Sequence, residues 1–307
     1  MIPTYYLDTE DGHNLAVYEQ GNLNGPCVIY LHGGPGGSIS EKVFEYFDLS
    51  YWHVVAFDQR GCGLSTPFAS LVNNTVAHSV EDIERLRKRI GKERVSVFGG
   101  SYGTTLALSY AIKYSTKVTN LILRGIFLGR KQDINWLYQE GASHFYPQEH
   151  ERFKMFIQEE KRHDLVAAYY EIFKGDDESL KLEAAKIWAD WENSVVLLIP
   201  QKIDNSAAAT QKDISLALLE CHYFANAMFW ENENMILDNI DNVRHIPTYI
   251  VHGRYDVDCT PSSAFELSKH LDNCHLEFAS ASGHSGFEPE IQRLLSEIME
   301  DLKHEEK

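Results

Sequence analysis

The chain is 307 residues long, with 44% hydrophobic and 12% aromatic residues, enough to bury a sizeable core and incompatible with a disordered, collagen-like or low-complexity protein. Its 28 Lys and Arg stand against 45 Asp and Glu, a formal charge of −17, and so negative a surface repels phosphate backbones and anionic lipid headgroups. Neither nucleic acid nor membrane is expected as a partner.

The opening stretch MIPTYYLDTEDGHNL carries neither a basic segment nor an apolar run, so no export signal is expected and the location expected is cytoplasmic. Runs of β-branched and aliphatic residues then predict strands at 14–20, 27–31, 53–57 and 94–98, followed by 118–123, 247–251 and 275–278. Helical periodicity falls between them at 80–90, 102–114, 261–270 and 288–303. Strands alternating with helices build a mostly parallel, doubly wound α/β sheet. From about 131 to 240 the strand pattern stops. Apolar residues there recur at helical spacing, as Ala184, Trp188 and Trp191 or Ile214, Leu218 and Cys221 do. The expectation is an all-helical cap, 131–240, inserted between two parts of an α/β core, 1–130 and 241–307. Such an insertion usually lies over the C-terminal edge of the sheet, where ligands bind. The apolar run 195–199 is far too short to span a bilayer. The cysteines, Cys27, Cys62, Cys221, Cys259 and Cys274, are odd in number and never spaced C-x-x-C, which predicts free thiols in a reducing compartment and no zinc site.

The chemistry is concentrated in three places. Gly99-Gly100-Ser101-Tyr102-Gly103 is a G-x-S-x-G directly after a predicted strand and before a predicted helix, the context in which Ser101 becomes a nucleophile on a tight turn. A serine hydroxyl needs a base, and the base an acid to hold its tautomer. In this architecture the order is Ser, acid, His, and the last two strands supply Asp256, in Val251-His252-Gly253-Arg254-Tyr255-Asp256, and His284, in Ser282-Gly283-His284-Ser285-Gly286. Asp258 is a rival acid, whereas His270 and His275 fall in a helix and at a strand start. For the oxyanion, the backbone N–H of Tyr102 is one expected donor, and Gly34 in His32-Gly33-Gly34-Pro35-Gly36-Gly37 the other. A phosphate loop is disfavoured there, because no G-K-[ST] follows.

These residues resemble the proline iminopeptidases (prolyl aminopeptidases) of the α/β-hydrolase superfamily, over nearly the whole chain. The resemblance rests on HGGPGG and GGSYG together with Phe57-Asp58-Gln59-Arg60-Gly61-Cys62-Gly63, LRGIFLGR (123–130), WLYQEGAS (136–143), Glu220-Cys221-His222-Tyr223-Phe224, HIPTYIVHGRYDV (245–257) and ASGHSGFEPE (281–290). It implies an α/β-hydrolase fold and a metal-free serine exopeptidase, with no cofactor, that releases an N-terminal residue, foremost proline, from small peptides with a free N-terminus. It further implies that Glu192 and Glu220 bind the free amine and that Phe127, Phe224 and Cys259 form the proline slot, with Arg124 nearby supporting the loop or the carbonyl end. Leu137 stands where the family often has an aromatic residue, and Tyr102 where it often has Trp; both departures are expected to reshape the pocket. A broader aminopeptidase, a carboxylesterase or amidase of the same fold, and a hydrolase-fold binding protein with an idle triad are the competing readings. Oligomeric state is not legible in the sequence.

Overall fold

The computed structural model describes residues 1–305; positions 306 and 307 of the expected second core segment lie outside them. Eight strands, β1 Tyr5–Asp8, β2 Asn14–Gly21, β3 Cys27–Leu31, β4 His53–Phe57, β5 Val95–Gly100, β6 Val118–Arg124, β7 Thr248–Gly253 and β8 Cys274–Ala279, form one sheet in the order β1-β2-β4-β3-β5-β6-β7-β8. The β1–β2 and β2–β4 pairings are antiparallel and all others parallel. Every predicted strand is present within two residues at each end. β1 was not predicted: four residues, YYLD, at the sheet edge give too short an alternation to read, and the pairing of Tyr5 with Val17 forms them into a strand.

All five residues of β3 and of β4 are buried, as strands covered on both faces must be. Alternation divides them between two cores. Ile29, Leu31 and Val55 face one side, while Val28, Tyr30 and Val54 face the other. On the first side lie α1, Val76–Arg89, and α2, Tyr102–Lys113; on the second lies α10, Pro289–Glu305, whose Ile291, Leu294, Leu295, Ile298, Met299 and Leu302 make one apolar stripe. Helix α1 starts four residues earlier than periodicity predicted because the Thr75 hydroxyl accepts the His78 N–H and caps it.

Between β6 and β7 the described residues contain no strand. The helices there are α3 Lys131–Tyr138, α4 Pro147–Met155, α5 Leu165–Lys174, α6 Glu178–Val195, α7 Gln211–Ala225 and α8 Met235–Asp238, and α9, Pro261–Ser268, follows β7. Asp164, Asp177 and Thr210 cap α5, α6 and α7. Their interior is aromatic: Phe153 stacks on Tyr169 at 4.6 Å between ring centroids, and Tyr138 on Trp188 at 4.4 Å. Among the described residues, no helix is long and apolar enough to cross a membrane. All five cysteines are free.

Candidate active site

The turns at the C-terminal ends of β3, β5, β6, β7 and β8 meet around one cavity of about 280 Å³, lined among others by Gly33, Gly34, Ser101, Arg124 and His284. Ser101 sits between β5 and α2 with φ 57° and ψ −128°, a strained backbone for a residue with a side chain. Its N–H donates to the Arg124 carbonyl at 2.8 Å, which ties the turn to β6. A Cβ on Gly103 would lie 2.3 Å from the Leu31 carbonyl oxygen, so α2 can approach β3 this closely only with glycine there.

His284 Nδ1 lies 2.7 Å from Asp256 Oδ2, and the other Asp256 oxygen accepts the Cys259 N–H at 2.9 Å. Asp256 is only 4% exposed. The pairing fixes the tautomer: Nδ1 carries the proton and Nε2 keeps a lone pair towards the cavity. Burial pushes His284 down to about 4, with the Arg124 guanidinium acting in the same direction, so the ring is neutral near pH 7. Burial pushes Asp256 up to about 6. The partner of Nε2 in this structure is Arg124 Nη1 at 3.1 Å. Asp258 Oδ1 lies 4.0 Å from Nε2, on the side away from Asp256's bond. Asp256 is therefore the acid paired with His284, and Asp258 is a further carboxylate facing the cavity. His270 and His275 are exposed.

The Gly-rich loop is held from below by the DQRG segment. His32 takes a hydrogen bond on Nε2 from the Gln59 N–H (3.0 Å) and donates from Nδ1 to the Gly33 carbonyl (2.8 Å). Asp58 accepts from Ile39 N–H, Leu64 N–H and the Tyr18 hydroxyl, and Arg60 is paired with buried Asp82 at 2.6 Å. A Cβ on Gly33 would lie 3.0 Å from Ser101 Cβ, which shows how closely the loop approaches the serine. Tyr102 is the first residue of α2, but its ring is turned into the core, edge-on to Tyr223 at 5.6 Å. The expectation that Tyr102 reshapes the pocket is thus corrected, because only its backbone is near Ser101. Leu137, in contrast, does line the cavity.

The helical segment contributes Glu192 from α6 and Glu220 from α7, 8% and 3% exposed, both lining the same cavity. The Tyr138 hydroxyl bridges them, bonding Glu192 Oε1 and, at 3.2 Å, Glu220 Oε2; Trp188 Nε1 donates to Glu220 Oε2 at 2.6 Å. Burial, reinforced by Asp258 at Glu192 and by Glu192 at Glu220, holds both carboxyls well above the ordinary range. Two buried acids side by side disfavour the doubly ionised state, a cost that a cation in the cavity would relieve. Phe127, Phe224, Leu137 and Cys259 supply the apolar wall, with Phe127 and Phe224 edge-on at 5.7 Å. Phe127 is fixed to α2 by its N–H to Thr104 Oγ1 (3.1 Å) and its carbonyl from Thr105 Oγ1 (2.6 Å). All predicted site residues except the Tyr102 ring and Asp256 itself border this cavity. The sequence reading missed Tyr138, Trp188 and Gly125. The last has φ +63° and lies so close that a Cβ would be 2.9 Å from His284 Cε1; only its positive φ marks it, and sequence does not show that.

Asp258, Cys259 and His284 each offer a ligand atom within 4.8 Å of one another. A metal held there would take the Nε2 lone pair that general-base chemistry requires.

Residues 26–290 match the family model of the alpha/beta hydrolase fold. The chain is 43% identical over 288 residues to a proline iminopeptidase of Xanthomonas citri, covering 92% of this chain and 91% of that protein. It is 41% identical over 299 residues to that of Neisseria gonorrhoeae (97% and 95%) and 42% over 300 residues to that of Arabidopsis thaliana (97% and 79%). Among solved structures it is similar to an α/β fold family hydrolase from Bacillus anthracis (TM-score 0.64, 18% identity, 96% and 97% covered) and to an esterase from Exiguobacterium antarcticum (TM-score 0.61, 20% identity, 97% and 99% covered). These two likenesses concern the fold.

Proposed function

Because the chain belongs to the proline iminopeptidases of the α/β-hydrolase fold, we propose that it releases an N-terminal proline from small peptides through an acyl-enzyme on Ser101. Ser101 Oγ attacks the carbonyl of the first residue while His284 Nε2 takes its proton, and Asp256 holds the ring and stabilises the imidazolium. Backbone N–H groups of Tyr102 and Gly34 receive the oxyanion. The proton on His284 then passes to the leaving amine, and water, activated by the same ring, hydrolyses the ester. For attack to begin, Arg124 Nη1 must yield the Nε2 lone pair to Ser101. Residues 131–240 act as a cap over a core made of 1–130 and 241–307. The free thiols fit work in a reducing cytoplasm.

The observation that carries this reading is the buried Glu192–Glu220 pair facing the cavity that Ser101 and His284 also line. An empty carboxylate pair is costly, and a substrate ammonium relieves it; a blocked amine leaves the charges unpaired, at several kcal/mol. Phe127, Phe224, Leu137 and Cys259 then receive the pyrrolidine ring. Leu137 makes this wall less aromatic than the family's, and that favours, as a second reading, a broader aminopeptidase. Hydrolysis of proline, alanine and leucine arylamides, each free and N-blocked, with Ser101→Ala as control, tests both. Strong preference for free proline is expected. Equal turnover of all free residues supports the second reading, and equal turnover of free and blocked substrates overturns both.

A further inference from the structure

The loop that carries His284 is not anchored by the sheet alone. Three consecutive amide groups in it, those of Gly283, His284 and Ser285, donate to a single seam. His284 N–H and Ser285 N–H both donate to the Val196 carbonyl, at 3.0 and 2.9 Å, and Gly283 N–H donates to Glu288 Oε2 at 2.6 Å. The other oxygen of Glu288 accepts the Leu198 N–H at 2.7 Å. Val196 and Leu198 directly follow α6, the helix on which Glu192 sits one turn from the end. The contact is close: a Cβ on Gly283 would lie 2.7 Å from Leu198 N. Glu288 is itself only 9% exposed, at the start of α10, where its carboxylate meets two main-chain donors from separate parts of the chain. Charge-assisted bonds of this kind are short and directional.

We propose that Glu288 is a positioning residue that clamps the His284 loop to the end of α6, so that the amine-binding carboxylate Glu192 and the base His284 move as one unit. This rests on the roles proposed for Glu192 and His284 above. Its consequence is that a free amine on the substrate acts on turnover as well as on binding. An ammonium that draws Glu192 into place also sets the C-terminal end of α6, and through Val196 and Glu288 the height of the imidazole over Ser101. A base displaced by about 1 Å loses on the order of 10²-fold in rate.

The test is Glu288→Gln, in which the amide offers only one acceptor for two N–H donors, with Glu288→Asp, which keeps the charge but shortens the reach. Each is assayed with free and N-blocked proline esters beside wild type and Ser101→Ala, after circular dichroism and a thermal melt. In Glu288→Gln a fall in kcat of about 10- to 100-fold on the free ester is expected, with KM within about twofold and with the free-over-blocked ratio in kcat collapsing towards one. Glu288→Asp, which keeps two acceptor oxygens and the charge, gives the same split with a smaller loss. A folded variant with unchanged kcat, or a loss confined to KM or shared equally by free and blocked esters, overturns the clamp. If Ser101→Ala stays active, or wild type turns over both esters equally, the underlying reading fails instead, independently of Glu288.

Discussion

At the edge of the sheet, Ser101, Asp256 and His284 stand on three separate turns whose positions are set by main-chain contacts: Ser101 N–H to the Arg124 carbonyl, Cys259 N–H to Asp256, His284 N–H to Val196. In the helical segment, Glu192 and Glu220 project from the bodies of α6 and α7 and are held by side chains only, the Tyr138 hydroxyl and the Trp188 indole. In the first arrangement the His284 ring is neutral near pH 7, and its Nε2 lone pair is held by Arg124 Nη1 at 3.1 Å. The second resists ionisation, because burial holds both carboxyls well above their ordinary range, and on the proposed reading a substrate ammonium relieves that cost. On the proposed reading, chemistry belongs to the first region and recognition to the second, and the two should fail differently when altered.

The largest failure belongs to the edge. Ser101→Ala should lower kcat for a free proline arylamide by at least about 10⁴-fold with the melting temperature preserved, as removal of a triad member does elsewhere; initial rates with active-site titration check it. Glu192→Gln and Glu220→Gln should instead reduce kcat/KM for free-amine substrates by about 10²- to 10³-fold, the cost of a broken buried charge pairing. Turnover of an N-blocked ester should hardly change. Equal loss on free and blocked substrates would erase the distinction between the two regions.

Gly125→Ala probes the edge without touching a polar group. Its Cβ would press on His284 Cε1 at 2.9 Å in a left-handed backbone, so kcat should fall about 10²-fold and stability by about 1–2 kcal/mol, read from rates and urea unfolding. A smaller effect is expected at Leu137→Phe, which restores an aromatic wall: the ratio of proline to alanine turnover should rise by about 10-fold or less.

The smallest effect concerns pH. Glu192 and Glu220 have folded-state pKa values raised above their ordinary 4.5, so the native state binds more protons than the unfolded one. The stability the pair contributes is present below that value and is lost as pH rises past it. Glu192→Gln should therefore melt higher than wild type at pH 7, by about 2 °C per kcal/mol of relieved repulsion, and the gap should close near pH 4. Differential scanning calorimetry across that range decides the sign.

How much of this was legible in the chain follows the same division. The G-x-S-x-G, the glycine loop and the two late loops are contiguous because a turn between a strand and a helix is a local object, built by neighbours in sequence. Seven of eight strands were legible for the same reason, since an apolar run or a clear alternation is carried by neighbouring residues; β1 was not, because only its partner makes it a strand. The DQRG segment was visible as a motif, yet its work, holding the glycine loop through Gln59 and His32, was not.

By itself, then, the sequence determined the alternating α/β plan and the helical segment, and it marked Ser101, Asp256 and His284 as candidate nucleophile, acid and base, since each depends on residues within one turn or one period. The tertiary structure pairs Asp256, which the sequence preferred over its rival Asp258, with His284 Nδ1 at 2.7 Å. It also turned the Tyr102 ring into the core, gave Tyr138 and Trp188 to the two glutamates, and joined Glu288 to the end of α6. These contacts unite residues from 28 to 121 positions apart, and the free energy that selects them comes from burying charge and ring surface together, which no local window of the chain contains.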